Sequence, residues 1–337
     1  MPAHVGSPFG LARRMLSSRN GAALFTLFVT ILGILCIPLD MLLSLRERRL
    51  LSAAAAVPSL PAVFICGPAR SGTTLVFQVL CQHLDVSYLQ NVTALFPRSP
   101  VVASRIYRRL FGLRRDRSVS YQNYYGKTTG MGGPSEANHI WNRWVQRDAT
   151  EFRTILSAAG ARQAAQFFSA FGDVDRKAIV SKNNNMNAYA DVIAEAMPNA
   201  LIICLRRSPD FLAQSLIQAR REILGTESRG YGVRDPAKLA DEHDPVTSAC
   251  QQVEFLDRKA LDLAASLGSD RFWLIDYEDF CREPGRLVSD VSKKFGIRML
   301  GSGGSAAIPP IESRNVVRDQ SELERIRAEL KAGDGAA

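Results

Sequence analysis

The chain has 337 residues, of which 46% are hydrophobic, and it carries a net charge of +9 at pH 7. This length suffices for one large domain with additions, and this composition suffices for a full apolar core. The positive charge favours anionic partners such as nucleotides, membrane surfaces or acidic glycans, and nothing in the sequence indicates a nucleic-acid partner. The six cysteines form no C-x-x-C pair, which argues against a disulfide framework or a zinc site and favours reduced, buried thiols.

The N-terminal segment divides into a polar, basic stretch over 1–20 and an apolar stretch over 21–45 that arginines follow. About 20 apolar residues are enough to span a bilayer, and no small-residue cleavage site ends this stretch. We therefore predict a membrane-anchor helix within 21–50. The alternative is a pair of interfacial helices, kinked at Pro38, that lies on the membrane. Because arginines flank both ends of the stretch, they do not decide its orientation.

A short apolar run at 62–66 leads directly into the glycine-bounded segment G-P-A-R-S-G-T-T, residues 67–74, and helix-forming apolar residues follow. A continuous apolar run bounded by Gly and Pro predicts a strand that is buried on both faces. Strand, loop and helix in this order form a phosphate-binding arrangement, because free backbone N–H groups and the positive end of the helix dipole both point at the loop.

The spacing Gly67-x-x-x-x-Gly72 fits the start of the nucleotide-binding P-loop, but Thr73 stands where that motif requires Lys. The cation of this loop is Arg70, whose forked guanidinium can reach several oxygens of one anion. The sequence R-S-G-T-T resembles the 5′-phosphosulfate loop of sulfotransferases that use 3′-phosphoadenosine 5′-phosphosulfate (PAPS). It is closest to the P-R-S-G-T-T form of the tyrosylprotein and related bacterial sulfotransferases, with Ala69 in place of the Pro.

This resemblance implies that PAPS is the co-substrate and that no metal takes part. The residues that it implies for the 5′ end of PAPS are Arg70, Ser71, Gly72, Thr73 and Thr74.

The residue that removes a proton from the acceptor does not lie where the resemblance would place it. In the tyrosylprotein sulfotransferases a Glu-Glu-Thr segment at this distance from the loop holds the base, and here Asn91 and Val92 occupy the matching positions. This departure argues against a protein-tyrosine acceptor. Glu136 lies in a Pro-Ser-Glu segment that resembles a P-x-E element of bacterial sulfotransferases, so we predict it as the base, with His139 as the alternative. Either side chain could equally be structural, at a helix start or on the surface.

The segment 121–144 is rich in glycine and aromatic residues, which predicts an irregular loop. Aromatic faces with polar edges suit stacking on sugars, although they equally suit packing. The aromatic residues available for stacking are Tyr124, Tyr125, Trp141 and Trp144. Together with the apolar N-terminal stretch, this loop predicts a glycan or glycolipid hydroxyl as the acceptor. Six arginines over 105–117 predict a solvated helix face or, as the alternative, a contact with anionic lipid or acceptor.

Two later strands end in candidate site residues. The strand 178–181 precedes Lys182, which falls where the resemblance implies a second catalytic cation. The strand 201–205 is followed by Arg207, and Pro209 begins a helix that carries Ser215. This spacing matches R-x-P-x-x-x-x-x-S, the element with which sulfotransferases bind the 3′-phosphate of PAPS. The remaining pattern predicts strands at 85–89 and 271–275, and helices at 150–171, 276–294 and 321–330.

These elements predict a three-layer, P-loop-like α/β domain over 62–300, with a mainly parallel sheet and the nucleotide at the carboxyl ends of its strands. Residues 51–61 are predicted as a linker and 301–337 as a C-terminal extension. The resemblance implies transfer of a sulfuryl group from PAPS to a hydroxyl, with Arg70 and Lys182 stabilising the charge on the moving group.

The scattered cysteines favour a bacterial enzyme whose catalytic domain faces the cytoplasm, where the donor is made. Two alternatives stay open at this point. One is a P-loop kinase or NTPase, which the missing Lys disfavours. The other is a membrane-tethered nucleotide-binding protein on an inactive sulfotransferase scaffold, an alternative that the absence of Glu at position 92 keeps open.

Overall fold

The structure, a computed structural model, describes residues 21–112, 128–147, 154–228, 230–237, 244–301 and 308–334. The basic N-terminal stretch 1–20 lies outside these ranges, as do Tyr124, Tyr125 and the three cluster arginines Arg114, Arg115 and Arg117. All six cysteines are free, and five of them are buried, as predicted.

The strands of the described residues are β1 Ala62–Cys66, β2 Val145–Arg147, β3 Thr154–Leu156, β4 Ile179–Lys182, β5 Ala200–Arg206 and β6 Phe272–Asp276. The centre of the fold is a parallel sheet in the order β4-β1-β5-β6, and β2 and β3 form a separate antiparallel pair. The chain continues from β1 to β4 on one side and then crosses to β5 on the other. The order therefore reverses at β1, and the carboxyl ends of the strands border a crevice there, where ligands bind in such sheets.

Twelve helices in the described residues surround this sheet. They are α1 Gly21–Leu35, α2 Ile37–Ala53, α3 Thr73–His83, α4 Pro100–Phe111, α5 Asn138–Trp141, α6 Ala158–Asp175, α7 Ala190–Ala196, α8 Pro209–Ala219, α9 Pro245–Leu267, α10 Tyr277–Arg282, α11 Pro284–Phe295 and α12 Gln320–Asp334. Short 3₁₀ turns form at Asn91–Ala94 and Asn184–Ala188, and a π turn forms at Arg220–Leu224.

The centre of the sheet is buried on both faces because β1 and the first six residues of β5 are apolar at every position, not at alternate ones. Phe64 and Cys66 face a core formed with α6, α7 and α9. Val63 and Ile65 face the opposite core, formed with α3, α10 and α11. The predicted α/β fold with a mainly parallel central sheet is confirmed, and it has three layers.

Three sequence-based predictions of secondary structure were wrong. The strand predicted at 85–89 is a single bridge between Ser87 and Ile179 at the edge of the sheet. The helix predicted at 150–171 begins only at α6, because Ser157 caps that helix by accepting a hydrogen bond from the Gly160 N–H. The helix predicted at 276–294 divides into α10 and α11, because Pro284 has no N–H to continue the hydrogen-bond ladder.

The anchor predicted within 21–50 is not one helix. Among the described residues no single helix is long and apolar enough to cross a membrane. Only a bent pair, Phe28–Leu35 and Ile37–Ala53, meets the length and composition requirements together, with an angle of 73° between its parts. The bend lies at Cys36, and Pro38 stands in the first turn of α2, where a proline starts a helix but cannot extend the preceding one.

Two buried carboxylates hold α2 on the domain. Asp40 accepts hydrogen bonds from the Ser99 hydroxyl at 2.6 Å and the Arg98 N–H at 3.1 Å. Glu47 accepts from the N–H groups of Val101 at 3.0 Å and Val102 at 2.9 Å. These N–H groups belong to the first turn of α4, which has no partners for them within the helix. The two acids lie seven residues apart on one face of α2, so this helix caps α4.

Candidate active site

The loop between β1 and α3 has no room for side chains at its two glycines. Gly67 has φ +140° and Gly72 has φ +97°, both unfavourable for residues with a Cβ. A Cβ on Gly72 would lie 2.3 Å from Cδ2 of Tyr277, and one on Gly67 would lie 2.7 Å from the Leu205 carbonyl oxygen. The loop backbone therefore packs directly against β5 and α10, at the carboxyl ends of the strands.

Arg70 joins the two predicted phosphate motifs. It has φ +77°, an uncommon conformation for a residue with a side chain and one that concentrates at functional loops. Its Nε donates to the Ser215 hydroxyl at 3.2 Å, and its carbonyl oxygen accepts from Nη1 of Arg207 at 2.7 Å. The loop after β1 and the R-x-P-x-x-x-x-x-S element after β5 are therefore in direct contact.

Arg207 is a half-buried cation whose hydrogen bonds go to uncharged oxygens. Besides the Arg70 carbonyl, it donates to the Arg314 carbonyl at 2.7 Å and to Oδ1 of Asn315 at 2.9 Å. Its guanidinium lies 5.1 Å over the ring of Tyr277. Burial lowers the pKa of this guanidinium from its usual value. A positive charge held in this way favours the arrival of an anion.

Lys182 and Glu136 meet at the other end of the loop. Lys182 comes from the end of β4, is 1% exposed, and donates through Nζ to the Thr74 hydroxyl at 3.2 Å and to Oε2 of Glu136 at 3.0 Å. The second oxygen of Glu136 accepts from the Asn184 N–H at 3.2 Å. The Thr73 hydroxyl donates to Oδ1 of Asn184 at 2.8 Å. A cation, a carboxylate and the start of α3 are thus linked by hydrogen bonds.

The loop also fits an anion through Ser71. Its hydroxyl is buried, and it is one of the described side-chain polar atoms that have no hydrogen-bond partner. Buried hydroxyl groups are rarely left unpaired, so this one indicates a ligand group that completes the site. The first N–H groups of α3 lack partners within the helix and point in the same direction. The described residues therefore fit the 5′ end of a nucleotide phosphosulfate.

The position that holds the base in the tyrosylprotein sulfotransferases cannot supply one here. Val92 is buried and packs against Val29 of α1. The Asn91 side chain donates to the carbonyls of Thr128 at 3.1 Å and Gly130 at 2.8 Å, so it holds the neighbouring loop in place. The alternative base, His139, has Nε2 at 3.1 Å from the Thr93 carbonyl oxygen. Its ring is therefore occupied by a backbone contact.

Two other sequence-based interpretations are corrected. Trp141 is fully buried and Trp144 nearly so, and both pack on Phe168 in the core, so neither can stack on a sugar. Within the basic cluster, Arg108 is buried and pairs with Asp175 instead of facing solvent or lipid.

Three residues beside the loop contact the loop, Arg207 or each other, although the sequence did not indicate them as site residues. None of the sequence motifs described above includes Tyr277, Glu278 or Asn315. In the structure, Tyr277 limits the space at Gly72, and its hydroxyl accepts from the Arg314 N–H at 3.2 Å. Glu278 accepts from Nδ2 of Asn315 at 2.9 Å and thereby orients the amide that binds Arg207.

The signal for Tyr277 and Glu278 was their position directly after β6, at the same edge of the sheet as the loop. Asn184, two residues after Lys182, was also missed, although it too follows a parallel strand at that edge.

A model of the Sulfotransferase family matches residues 61–300, which is more than half of the chain. The chain belongs to the sulfotransferase family. The protein is therefore an enzyme of sulfuryl transfer, and the resemblance seen in the sequence is confirmed. In the part of this sulfotransferase that the structure describes, no three His, Cys, Asp or Glu side chains group as metal ligands.

Two solved sulfotransferases are similar to the chain in structure. STF9 from Mycobacterium avium is 15% identical, with a TM-score of 0.50 over 86% of this chain and 71% of that one. STF1 from Mycobacterium tuberculosis H37Rv is 15% identical, with a TM-score of 0.49 over 96% and 91%. At this identity the likeness to STF9 shows a shared fold alone. No curated protein sequence matches the chain.

Proposed function

We propose that this sulfotransferase transfers a sulfuryl group from PAPS to a hydroxyl of a glycan or glycolipid, with Glu136 as the base. One observation supports this most directly. Lys182 Nζ lies between the Thr74 hydroxyl of the phosphate loop and the Glu136 carboxylate, at 3.2 and 3.0 Å. A group that is bound by the loop therefore meets a cation and a proton acceptor together.

The donor supplies the sulfuryl group, and two sets of residues would hold it. Arg207 and Ser215 would bind the 3′-phosphate, since both contact Arg70 and border the same end of the sheet. The residues that would bind the 5′ end are Arg70, Ser71, Gly72, Thr73 and Thr74. Two observations support the 5′ site. The Ser71 hydroxyl has no hydrogen-bond partner among the described residues, and a Cβ at Gly67 or Gly72 would clash with neighbouring atoms.

In this proposal Glu136 accepts the proton of the acceptor hydroxyl at one of its carboxylate oxygens. Lys182 and the Asn184 N–H hold the two oxygens of Glu136, so the carboxylate is oriented before the acceptor arrives. The ammonium of Lys182 and the guanidinium of Arg70 would stabilise negative charge that develops on the oxygen of the departing nucleotide. His139 is the second candidate for the base.

The acceptor class and the location are parts of the same proposal. A glycolipid is favoured over a soluble sugar because the apolar stretch 21–45 would direct the enzyme to a membrane in this proposal. Stacking by Trp141 and Trp144 no longer supports a sugar, because both side chains are in the core. The scattered free cysteines favour a catalytic domain on the cytoplasmic face.

Glu136→Gln tests the assignment of the base. The amide keeps the shape of the side chain and loses the proton acceptor, so we expect turnover to fall by about 10²-fold or more. Affinity for 3′-phosphoadenosine 5′-phosphate, measured by calorimetry, should change little. Glu312→Gln is the matched control, because Glu312 is exposed in the C-terminal extension, and it should leave both values unchanged. If Glu136→Gln is fully active and His139→Ala is inactive, the base is His139 and this assignment fails.

A further inference from the structure

Helix α1 is apolar on all its described sides, although only one side packs on the protein. Phe25, Val29 and Leu32 pack against Val92 and Leu95 of the domain. The opposite stripe repeats every three or four residues and has no covering element among the described residues. It includes Phe28, which is 56% exposed, Ile31 at 65% and Leu35 at 73%. A helix with apolar residues on both sides is typical of a core or of a lipid environment, and here only half of that environment is protein.

Exposed apolar side chains also lie on two neighbouring helices, α2 and α4. Tyr107 of α4 packs against the cluster that Val29 of α1 forms with Val92 and Leu95. The centre of its ring lies 5.0 Å from that of Phe111. We call the combined surface the apolar platform. Its members are the exposed residues Leu24, Phe28, Ile31, Ile34 and Leu35 of α1, Ile37, Leu39, Met41, Leu42 and Leu45 of α2, and Ile106, Leu110 and Phe111 of α4. Soluble monomers rarely expose a continuous apolar patch larger than a few hundred Å².

Basic side chains border the platform. Arg46, Arg48 and Arg49 are exposed on the last turns of α2, directly after its apolar half. Arg105 and Arg109 are exposed on α4, between the apolar residues at the end of that helix. Apolar side chains with adjacent arginines match a lipid surface that carries anionic headgroups, since the rings and chains enter the acyl region and the guanidinium groups stay at the headgroups.

We propose that the apolar platform inserts into one leaflet of an anionic membrane without crossing it. The bend of 73° between the helices argues against a span. Helix α2 cannot complete the span, because Asp40 and Glu47 bind the N-terminal end of α4. Crossing would separate these carboxylates from their donors and place them in lipid.

This position has a consequence for the acceptor, and this step rests on the function proposed above. Helix α1 lies against the 3₁₀ turn Asn91–Ala94, and a Cβ on Gly33 would be 3.7 Å from the Ala94 carbonyl oxygen. The same turn contacts His139 through the Thr93 carbonyl, three residues after Glu136. Helix α1 and this turn together therefore separate the membrane surface from the segment that carries Glu136. A headgroup hydroxyl of a lipid in that leaflet fits this placement.

Vesicle flotation of the full-length protein tests the membrane contact. We expect binding to vesicles of phosphatidylcholine and phosphatidylglycerol in equal parts. The double variant Phe28→Ser/Ile31→Ser should lower the bound fraction at least about tenfold, because two apolar side chains no longer enter the bilayer. The control Leu261→Ser/Val316→Ser removes exposed apolar side chains elsewhere and should bind like the parent protein. Equal binding by both double variants would overturn the proposal.

A charge variant covers the case in which the double variant fails to fold. Arg48→Glu/Arg49→Glu changes only exposed side chains. It should lose binding to the anionic vesicles, while phosphatidylcholine vesicles should not distinguish it from the parent protein. If the charge variant binds anionic vesicles normally, the basic border has no role and the proposal fails in this part. Neither assay depends on Glu136, so loss of the catalytic assignment would leave the membrane result unaffected.

Labelling of introduced cysteines distinguishes insertion from spanning. Gly21 begins α1 with open space around the place of a Cβ, and Ser52 is exposed near the end of α2. Gly21→Cys and Ser52→Cys proteins, each in bacterial membranes, are treated with a membrane-impermeant maleimide in spheroplasts and in inverted vesicles. Insertion into one leaflet gives both labels in the same preparation, above the background of the parent protein. Labels on opposite sides would show a span and overturn the proposal.

Discussion

The contacts of Arg207 explain how one guanidinium can serve both the fold and a ligand. Its donors reach the Arg70 carbonyl, the Arg314 carbonyl and the Asn315 amide oxygen, so its position is fixed before any nucleotide binds. None of these oxygens carries a full charge, and among the described residues no carboxylate lies within salt-bridge distance of it. The charge therefore remains available to an anion.

Arg207→Ala should weaken the binding of 3′-phosphoadenosine 5′-phosphate by about tenfold or more, since a hydrogen bond to a charged group contributes about 1.5–3 kcal/mol. Calorimetry measures this directly. Arg206→Ala is the matched control, because the neighbouring arginine forms a two-bond contact with Asp257 instead. The control should bind the nucleotide like the parent protein. An Arg207→Ala protein with unchanged affinity would contradict the 3′-phosphate site.

Arg70→Ala should reduce turnover far more than it reduces affinity for 3′-phosphoadenosine 5′-phosphate. Its side chain is expected to act on charge that develops only during transfer, so the loss should appear mainly in kcat. Arg176→Ala is the matched control: Arg176 also has a positive φ, +51°, but it is exposed at the end of α6. Parallel losses of kcat and product affinity would make Arg70 a binding residue only.

At the scale of elements, the sequence predicted the central parallel strands β1 and β5 because each contains a continuous apolar run that only a doubly covered sheet can bury. The spacing of Gly67 and Gly72 after β1 likewise predicted the phosphate loop. Burial that depends on distant partners was not predictable. The tryptophans at 141 and 144 resembled a stacking surface, and only the approach of Phe168 from α6 shows that Trp141 is in the core. Likewise, the apolar pattern around Ser87 predicts a full strand, whereas Ser87 forms only a single bridge to Ile179.

The cap of α4 gives a prediction about pH. Burial raises the pKa of Glu47 above its usual value, although the Val101 and Val102 N–H groups partly oppose this. The folded state therefore keeps the Glu47 proton at pH values where the unfolded chain has lost it. Stability contributed by Glu47 is complete below about pH 4.5, the value for an unperturbed glutamate, and declines as pH rises through the raised pKa.

Glu47→Gln removes this titration and keeps an acceptor for α4. The melting temperature of the parent protein, compared with that of Glu47→Gln, should therefore fall as pH rises from about 4.5 upward. Glu47→Ala removes the acceptor as well and should destabilise the fold at every pH by about 0.5–2 kcal/mol, as loss of a helix cap does. Calorimetric melting over a pH series measures both effects. If the melting temperature of the parent protein instead rises relative to that of Glu47→Gln as the pH rises, burial does not dominate the titration of Glu47.

At the scale of the whole molecule, the N-terminal segment belongs to the catalytic domain more closely than the sequence indicated. In the sequence, Asp40 only interrupts the apolar stretch, and Glu47 stands among the arginines that follow it. Both are buried acceptors for another part of the chain. A hydrogen bond between an acid and the end of a distant helix leaves no periodic signal in the sequence. The three-layer arrangement does leave one, in the apolar patterns of its strands and helices. The fold class was therefore predictable and the docking of α2 was not.

This docking changes what truncation is expected to do. Removing residues 1–36 deletes α1 and half of the membrane surface but leaves Asp40 and Glu47 in place. That protein should leave the membrane fraction, bind 3′-phosphoadenosine 5′-phosphate, and have a melting temperature close to that of the parent protein.

Removing residues 1–53 also deletes both carboxylates, so the first turn of α4 loses its acceptors. Two lost caps correspond to about 1–4 kcal/mol, and we expect a melting temperature lower by about 2 °C or more than that of the shorter truncation. Fractionation, melting and calorimetry on the two proteins measure these outcomes. Equal melting temperatures would show that α2 is a removable anchor, because its carboxylates would then contribute nothing to the fold.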